Sequence, residues 1–365
     1  MQSCLRFAVV VVLGIAFADV SGTKTHAEVA APLDTLYAAY LADPANALTT
    51  RLRTRDDFEA IRIDLIGALA QWKRHWDPRR VVFTLEVGIA AFEQNRPNAW
   101  GYLSGAVQMV LARPSPPGTN PREDAFELTF HRAVAAFLSG VPMPAQTEQY
   151  LDSIRSRVAS GAAPGMRSRL SDPRLILSRA MALEFGTLPA SLPRNSTNDL
   201  RSWTATTNAE ARRRLKSVLA ILDVAARYPE TVDEALVRRA FLLHRLGMNA
   251  EALTTADAME TPRDPVVEYW RQLILGRILN SLGQLPRAVA AYERAASLQP
   301  RAQTPAIALA SLLLRSGERD VAIAWAERAR TTPESPIDPW ALYWAGDRRF
   351  LAEWLAELRR ARPAT

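Results

Sequence analysis

One cysteine, three lysines and 16 glycines in 365 residues set the first limits on this chain. The cysteine is Cys4, so nothing beyond it can form a disulfide, act as a thiol nucleophile or supply a thiolate to a metal. An oxidising compartment is tolerated but not used for stability. Lysine is confined to Lys24, Lys73 and Lys216, and the remaining basic residues of the 45 are arginines interleaved with 38 acids. The net charge of +7 therefore gathers into no basic run. The densest group, Arg212 to Arg214 with Lys216, shares its helix with Glu210 and reads as a solvated face, so nucleic acid is not an expected partner. No nucleophile elbow, phosphate loop, dinucleotide fingerprint or His-Glu-x-x-His pair occurs, and no cofactor is expected. Strand-like alternation is also scarce, which leaves helix as the main regular structure.

Long apolar runs are missing except at the N-terminus. Arg6 precedes twelve apolar or small residues, Phe7 to Ala18, and Ala16-Phe17-Ala18 fits the small-residue rule for signal cleavage before Asp19, with Ala27 as a second site. Twelve residues make about 18 Å of helix, short of a hydrocarbon core of roughly 30 Å. A cleaved signal peptide over residues 1–18, a periplasmic or secreted location and no stable membrane span after cleavage are expected. Cys4 lies before the apolar run, the wrong side for lipid attachment.

Hydrophobic residues make up 48% of the chain, enough for a real core. Residues 30–186 read as helical hairpins joined by proline-rich turns. The clearest helix runs from Asp57 to Trp76, where Phe58, Ile61, Leu65, Leu69, Trp72 and Trp76 step by three and four. Asp56 or Asp57 is placed to cap it, and Asp77-Pro78 ends it and starts the next. Four prolines between Arg113 and Pro121 make a rigid loop. Further helices are expected over Thr147 to Ala159 and Asp172 to Phe185. Periodicity disappears over residues 187–207, a linker with Trp203 in it, and Thr207 with Glu210 forms a capping box for the next helix.

Beyond the linker, Gly283, Ala288 and Ala295 return as Gly317, Ala322 and Ala329, each after 34 residues. Glycine makes a tight turn between helices and alanine lets them cross closely, so this period signals stacked two-helix units. Residues 269–302 carry Leu275, Gly276, Gly283, Ala288, Tyr292, Ala295 and Pro300; residues 303–336 keep Leu309, Ala310, Leu313, Gly317, Ala322 and Ala329; residues 233–266 keep Ala240, Leu243, Gly247, Ala252 and Ala256. In these residues the chain resembles the tetratricopeptide repeat (TPR) family, of an exported bacterial type, over about residues 208–362. The resemblance implies an all-α fold of antiparallel helical hairpins forming a TPR-like α-solenoid. One more period from Ala306 lands on Trp340, and Phe350, Leu351, Trp354, Leu355 and Leu358 then form the apolar stripe expected of a C-terminal capping helix within residues 337–362 that buries the last repeat.

The family generally lacks catalysis and binds proteins or peptides along the concave surface made by the first helix of each repeat. By position the resemblance places Glu234, Phe241, His244 and Arg245, then Trp270, Arg277, Asn280 and Ser281, then Ser311 and Arg315 on that surface. Arginine forks and aromatic rings suit an acidic or aromatic-bearing segment. The lysine-and-asparagine carboxylate clamp of chaperone-binding members is not reproduced. The expected function is thus a non-enzymatic exported scaffold for protein or peptide. Two alternatives stand beside it. One is an enzyme using Glu123, Glu127 and His131, four apart on one helical face and acceptable as metal ligands, although chance pairing accounts for them without a metal. The other is a structural envelope component that only self-associates. His75 reads as a helix-end cation. Oligomeric state is not legible in the sequence.

Overall fold

The computed structural model describes residues 32–72, 76–96, 98–113, 119–140, 150, 172–185, 187, 209–331 and 338–360, and every regular element among them is helical. The expected signal peptide, His75, Trp203, Thr207, most of the linker and nearly all of the helix expected near Thr147 to Ala159 lie outside the described residues. Two compact units, Met1–Leu65 and Ile66–Thr365, divide inside one helix.

Six helix starts follow one local rule. An Asp or Asn precedes a proline at Asp43-Pro44, Asp77-Pro78, Asn120-Pro121, Asp172-Pro173, Asp264-Pro265 and Asp338-Pro339, and each proline opens a helix. Proline has no N–H to leave unpaired and its φ is already helical, while the preceding side chain accepts an early backbone N–H at 2.8–3.2 Å.

In the first unit, α1 (Pro32–Ala42) packs on α2 (Pro44–Arg51), and α3 (Arg55–Trp72) begins. Leu33, Leu36, Tyr40, Leu48, Leu52, Phe58, Ile61 and Leu65 are buried. The start of α3 differs from expectation. Thr54 is the cap, its Oγ1 accepting the Asp57 N–H at 3.3 Å, and Asp57 reaches back to accept the Thr54 N–H at 2.7 Å. This reciprocal pair satisfies two otherwise orphaned amides. The helix is described over Arg55–Trp72, and Trp76 stands outside it and meets Phe126 edge-on at 5.8 Å.

The second unit continues with α4 (Pro78–Glu93) and α5 (Ala99–Leu111), an antiparallel pair drawn together at Gly88, where a Cβ would stand 2.9 Å from the Leu103 nitrogen. Then come α6 (Pro121–Ser139), α7 (Pro173–Phe185) and α8 (Ala209–Ala225). Helix α7 packs on both α6 and α8, so the helices flanking the expected linker share one core, including Leu177, Met181, Leu215, Val218 and Leu222.

Three hairpins follow: α9 (Val232–Arg245) with α10 (Asn249–Asp257), α11 (Pro265–Ser281) with α12 (Leu285–Leu298), and α13 (Thr304–Ser316) with α14 (Arg319–Thr331). Each first helix ends identically. Gly247, Gly283 and Gly317 hold φ of 82°, 73° and 89°. The residue after each glycine donates to a carbonyl five back, Met248 to Leu243, Gln284 to Leu279 and Glu318 to Leu313, at 2.9–3.0 Å. This is the Schellman turn, and it makes the hairpins TPR-like in local geometry as well as in period. Close approach is the work of a different glycine: a Cβ on Gly276 would meet the Tyr292 ring at 2.6 Å.

The chain closes with α15 (Pro339–Trp344), a 3₁₀ turn (Gly346–Phe350) and α16 (Leu351–Arg359). Helix α16 is a cap, but of another surface than expected. It packs on α6 and α4 instead of the last repeat. Its Arg359 makes two 2.7 Å bonds to Glu86, and Thr129 of α6 donates to its Glu357 at 3.0 Å.

Gly283 has nothing within 4 Å of where a Cβ would stand, so its requirement is the positive φ alone. Gly283→Val is expected to destabilise the array by about 1–3 kcal/mol in chemical denaturation. Gly101, with equal space but within the helix α5, should be stabilised by Gly101→Ala by about 0.5–1 kcal/mol.

Candidate functional site

The site begins with a stripe on α9. Glu234, Arg238, Phe241 and Arg245 are spaced by four, three and four, which aligns them on one helical face. Trp270 lies on the neighbouring first helix, α11. Between these helices sits α15. Phe241 meets the rings of Trp340, Tyr343 and Trp344 at 5.5, 5.4 and 5.9 Å, and Trp270 meets Tyr343 at 5.5 Å, all four edge-on. Trp270, Phe241 and Trp340 are fully buried.

The polar ends of this segment are also received. Trp270 Nε1 donates to the Pro339 carbonyl at 2.8 Å and Tyr269 donates to Asp338 at 3.0 Å. Thr304 donates to the other Asp338 oxygen through its backbone N–H, at 3.0 Å, and its hydroxyl, at 2.7 Å. Arg238 donates to the Tyr343 carbonyl at 3.0 Å with its guanidinium 4.2 Å over that residue's ring.

The expected open groove is thereby corrected. Glu234, Phe241, His244, Arg245 and Trp270 all have less than a tenth of their surface exposed: the chain's own Trp340–Trp344 segment covers Phe241, Arg245 and Trp270, and Arg238, Arg349 and Arg174 surround Glu234. His244 is held at the hairpin turn by Asn249, 2.8 Å away. Trp340 lands there, and not on the next repeat, since three aromatic rings bury far more apolar area between α9 and α11 than a lone helix would at the array's end. Arg277, Asn280, Ser281, Ser311 and Arg315 are more distant from α15 along the array and remain half-buried or exposed.

Beneath the rings lies an ion network that sequence reading missed apart from Glu234 and Arg245. Arg238 pairs with Glu234 at 3.0 Å and Glu184 at 3.4 Å, and Tyr343 donates its hydroxyl to Glu184 at 2.9 Å. Arg349 pairs with Glu234 and, at 2.6 Å, with Asp264. Arg174 stands 3.6 Å from both Glu234 and Asp347. Ser178 donates to Asp347 at 2.9 Å, and the Asp347 N–H donates to Ser139 at 3.1 Å. The spacing of Arg238 on the α9 stripe was the available signal; the partners come from four other elements.

Burial raises all three acids, and the neighbouring arginine charges decide which of them end above and which below the usual range. Burial raises Glu234, but Arg349, Arg238 and Arg174 together hold its carboxyl below the usual range. Burial raises Glu184 with Arg238 and Arg245 only partly opposing. Asp347 is pushed up to about 6 by burial and by the Glu234 charge, against the pull of Arg174 and Arg349.

The alternative cluster on α6 is also a set of pairings. Glu127 and His131 are buried, with His131 Nε2 3.5 Å from Glu127 and its Nδ1 2.7 Å from the Tyr150 hydroxyl. Arg113 lies 3.0 Å from Glu127 and 2.7 Å from Asp124. Glu123 is apart from them, accepting from Asn120 at the helix start at 3.0 Å. Among the described residues no three His, Cys, Asp or Glu side chains are grouped to hold a metal.

Two expectations follow. Trp340→Ala should cost about 3–5 kcal/mol in denaturant unfolding, as for a core aromatic, whereas a peripheral helix would lose under about 1. The second concerns pH. Asp347 and Glu184 titrate above their unfolded values, so the folded state takes up protons first and stability rises as pH falls from 7 to 5. Glu234 opposes this only below its ordinary range. Asp347→Asn should flatten the rise by on the order of 1 kcal/mol, read from melting midpoints across that window.

No protein-family model matches the chain, and no curated protein matches it. Among solved structures, yeast Tom70 is similar at 12% identity and a TM-score of 0.22, over 90% of this chain and 89% of that one. The TPR-like fold stands on the hairpins, the Schellman turns and the 34-residue register described above.

Proposed function

We propose that this chain is an exported, non-enzymatic scaffold whose repeat array binds a protein or peptide segment bearing acidic side chains. The observation that carries the reading is the placement of Arg277, half-buried on α11, and Arg315, exposed on α13, on successive first helices of the array. Burial raises Tyr292 to about 12, and the charges of Arg277 and Arg315 both oppose it. Burial in turn lowers Arg277 to about 9, with Tyr292 as the opposing influence. Guanidinium forks bind carboxylates bidentately, and Arg277 with the exposed Arg315 on the next first helix suits an extended acidic segment.

Asn280 and Ser281 border Arg277 on α11, and Ser311 accepts from Arg315 at 2.7 Å, supplying neutral hydrogen-bonding groups beside the charges. The filled half of the groove supports the same chemistry by example. What it holds in cis is a segment led by Asp338 and followed by three aromatic rings. Export rests on Arg6, the apolar run and Ala16-Phe17-Ala18.

The test is a capture from extracytoplasmic extract with the chain expressed from its own N-terminus. Mature protein should begin at Asp19 or near Glu28, and the Arg277→Ala/Arg315→Ala double variant should lose partner at about 1–3 kcal/mol per removed contact. Circular dichroism should be unchanged. Identical partner profiles from two equally folded proteins would count against the groove; an intact Met1 in cytosol would count against export.

A further inference from the structure

Among the described residues, no helix follows the last hairpin on its outer side. In the preceding repeat, Val289, Tyr292 and Ala296 of α12 are half or fully buried, as are Leu273 and Gly276 of α11, and α13 packs onto α12. Thirty-four residues on, the same positions are Ile323, Ala326 and Arg330 of α14, all exposed, and Ile307 and Ala310 of α13, half-buried. Leu314, which follows Ile307 and Ala310 on their stripe, is 60% exposed, and Ile323 is 53% exposed. The helix that would continue the stack, α15, is committed to α11, and α16 to α6 and α4. An array end that keeps its apolar face without a polar cap needs something to cover it.

The charges on α14 identify what fits. Arg319 and Glu327 lie four residues before and four residues after Ile323, so all three share one face of the helix. Both charged side chains are exposed, and Glu327 pairs with the exposed Arg330, three residues on, at 2.9 Å. An antiparallel copy of α14 laid against it, with the two-fold axis at Ile323, sets Ile323 on Ile323 and Arg319 opposite Glu327 twice. This is the self-complementarity a two-fold interface requires: one patch, with residue i facing j and j facing i. A parallel arrangement would instead set like charges together.

We propose that two copies of this chain join through the bare end of the array, α14 against α14 about a two-fold axis at Ile323, with Leu314 of α13 at the flank. The Arg277 and Arg315 reading of the concave surface is independent of this contact.

Sedimentation velocity over a micromolar-to-millimolar series tests it. Wild type is expected to dimerise, and Ile323→Asp to remain monomeric with unchanged circular dichroism. Arg319→Glu and Glu327→Arg should each weaken the dimer by about tenfold or more, since each places like charges opposite one another. An equimolar mixture of these two single variants should recover wild-type association, because every pair across that heterodimer is then opposite in sign; the double variant should recover it likewise. A wild type that stays monomeric throughout the series overturns the proposal. So do charge reversals without effect, or a mixture no tighter than its components.

Discussion

Everything in the closed part of this molecule passes through the guanidinium of Arg238. It is 1% exposed, and it bonds to Glu234 on its own helix, Glu184 on α7 and the Tyr343 carbonyl on α15 while lying over the Tyr343 and Trp270 rings. Burial alone would lower its pKa, but Glu234, Tyr343 and Glu184 raise it, so the charge is retained. Removing a buried charge's partners is far costlier than the pair is worth, and an arrangement with three elements around one cation is therefore strongly coupled. The aromatic segment supplies the apolar area; the arginine fixes its orientation.

That coupling explains why the repeat array is not a free-standing solenoid. The 3₁₀ turn carrying Asp347 and Arg349 meets α6 and α7 as well as the concave side of α9, at Ser139, Ser178 and Glu234. Gly346 holds φ of 62°, and a Cβ there would stand 2.2 Å from Ser139 Oγ. The chain thus returns from the array's end to the helices preceding it, and the groove is divided into a filled part and an open part. The open part carries Arg277 and Arg315 with Asn280, Ser281 and Ser311 beside them, all half-buried or exposed.

Small residues do different work along the same register. Gly276 is required by the Tyr292 ring packed over it, and the next repeat has Ala310 with Ala326 at the same two positions. The aromatic that fills the inner hairpin is absent from the outer one, where α14 instead shows Ile323 to solvent between Arg319 and Glu327. The inner hairpin is packed against a successor. The outer one leaves Leu314 and Ile323 exposed.

Local signals in the sequence determined the helices, the turns and the period. Gly283 and Gly317 mark Schellman ends because only glycine accepts a positive φ at little cost, and an Asp before a proline starts a helix whatever surrounds it. These depend on neighbours within a few residues, so they are legible in order. Only tertiary structure decided that Trp340 and Tyr343 would enter the groove, that Leu351 to Leu358 would cap α4 and α6, and that Arg238 would find Glu184. An amphipathic stripe states that a face must be buried, but not against what. Where several apolar surfaces compete for it, the one that buries the most area and satisfies the most polar groups wins, and that comparison exists only in the folded chain.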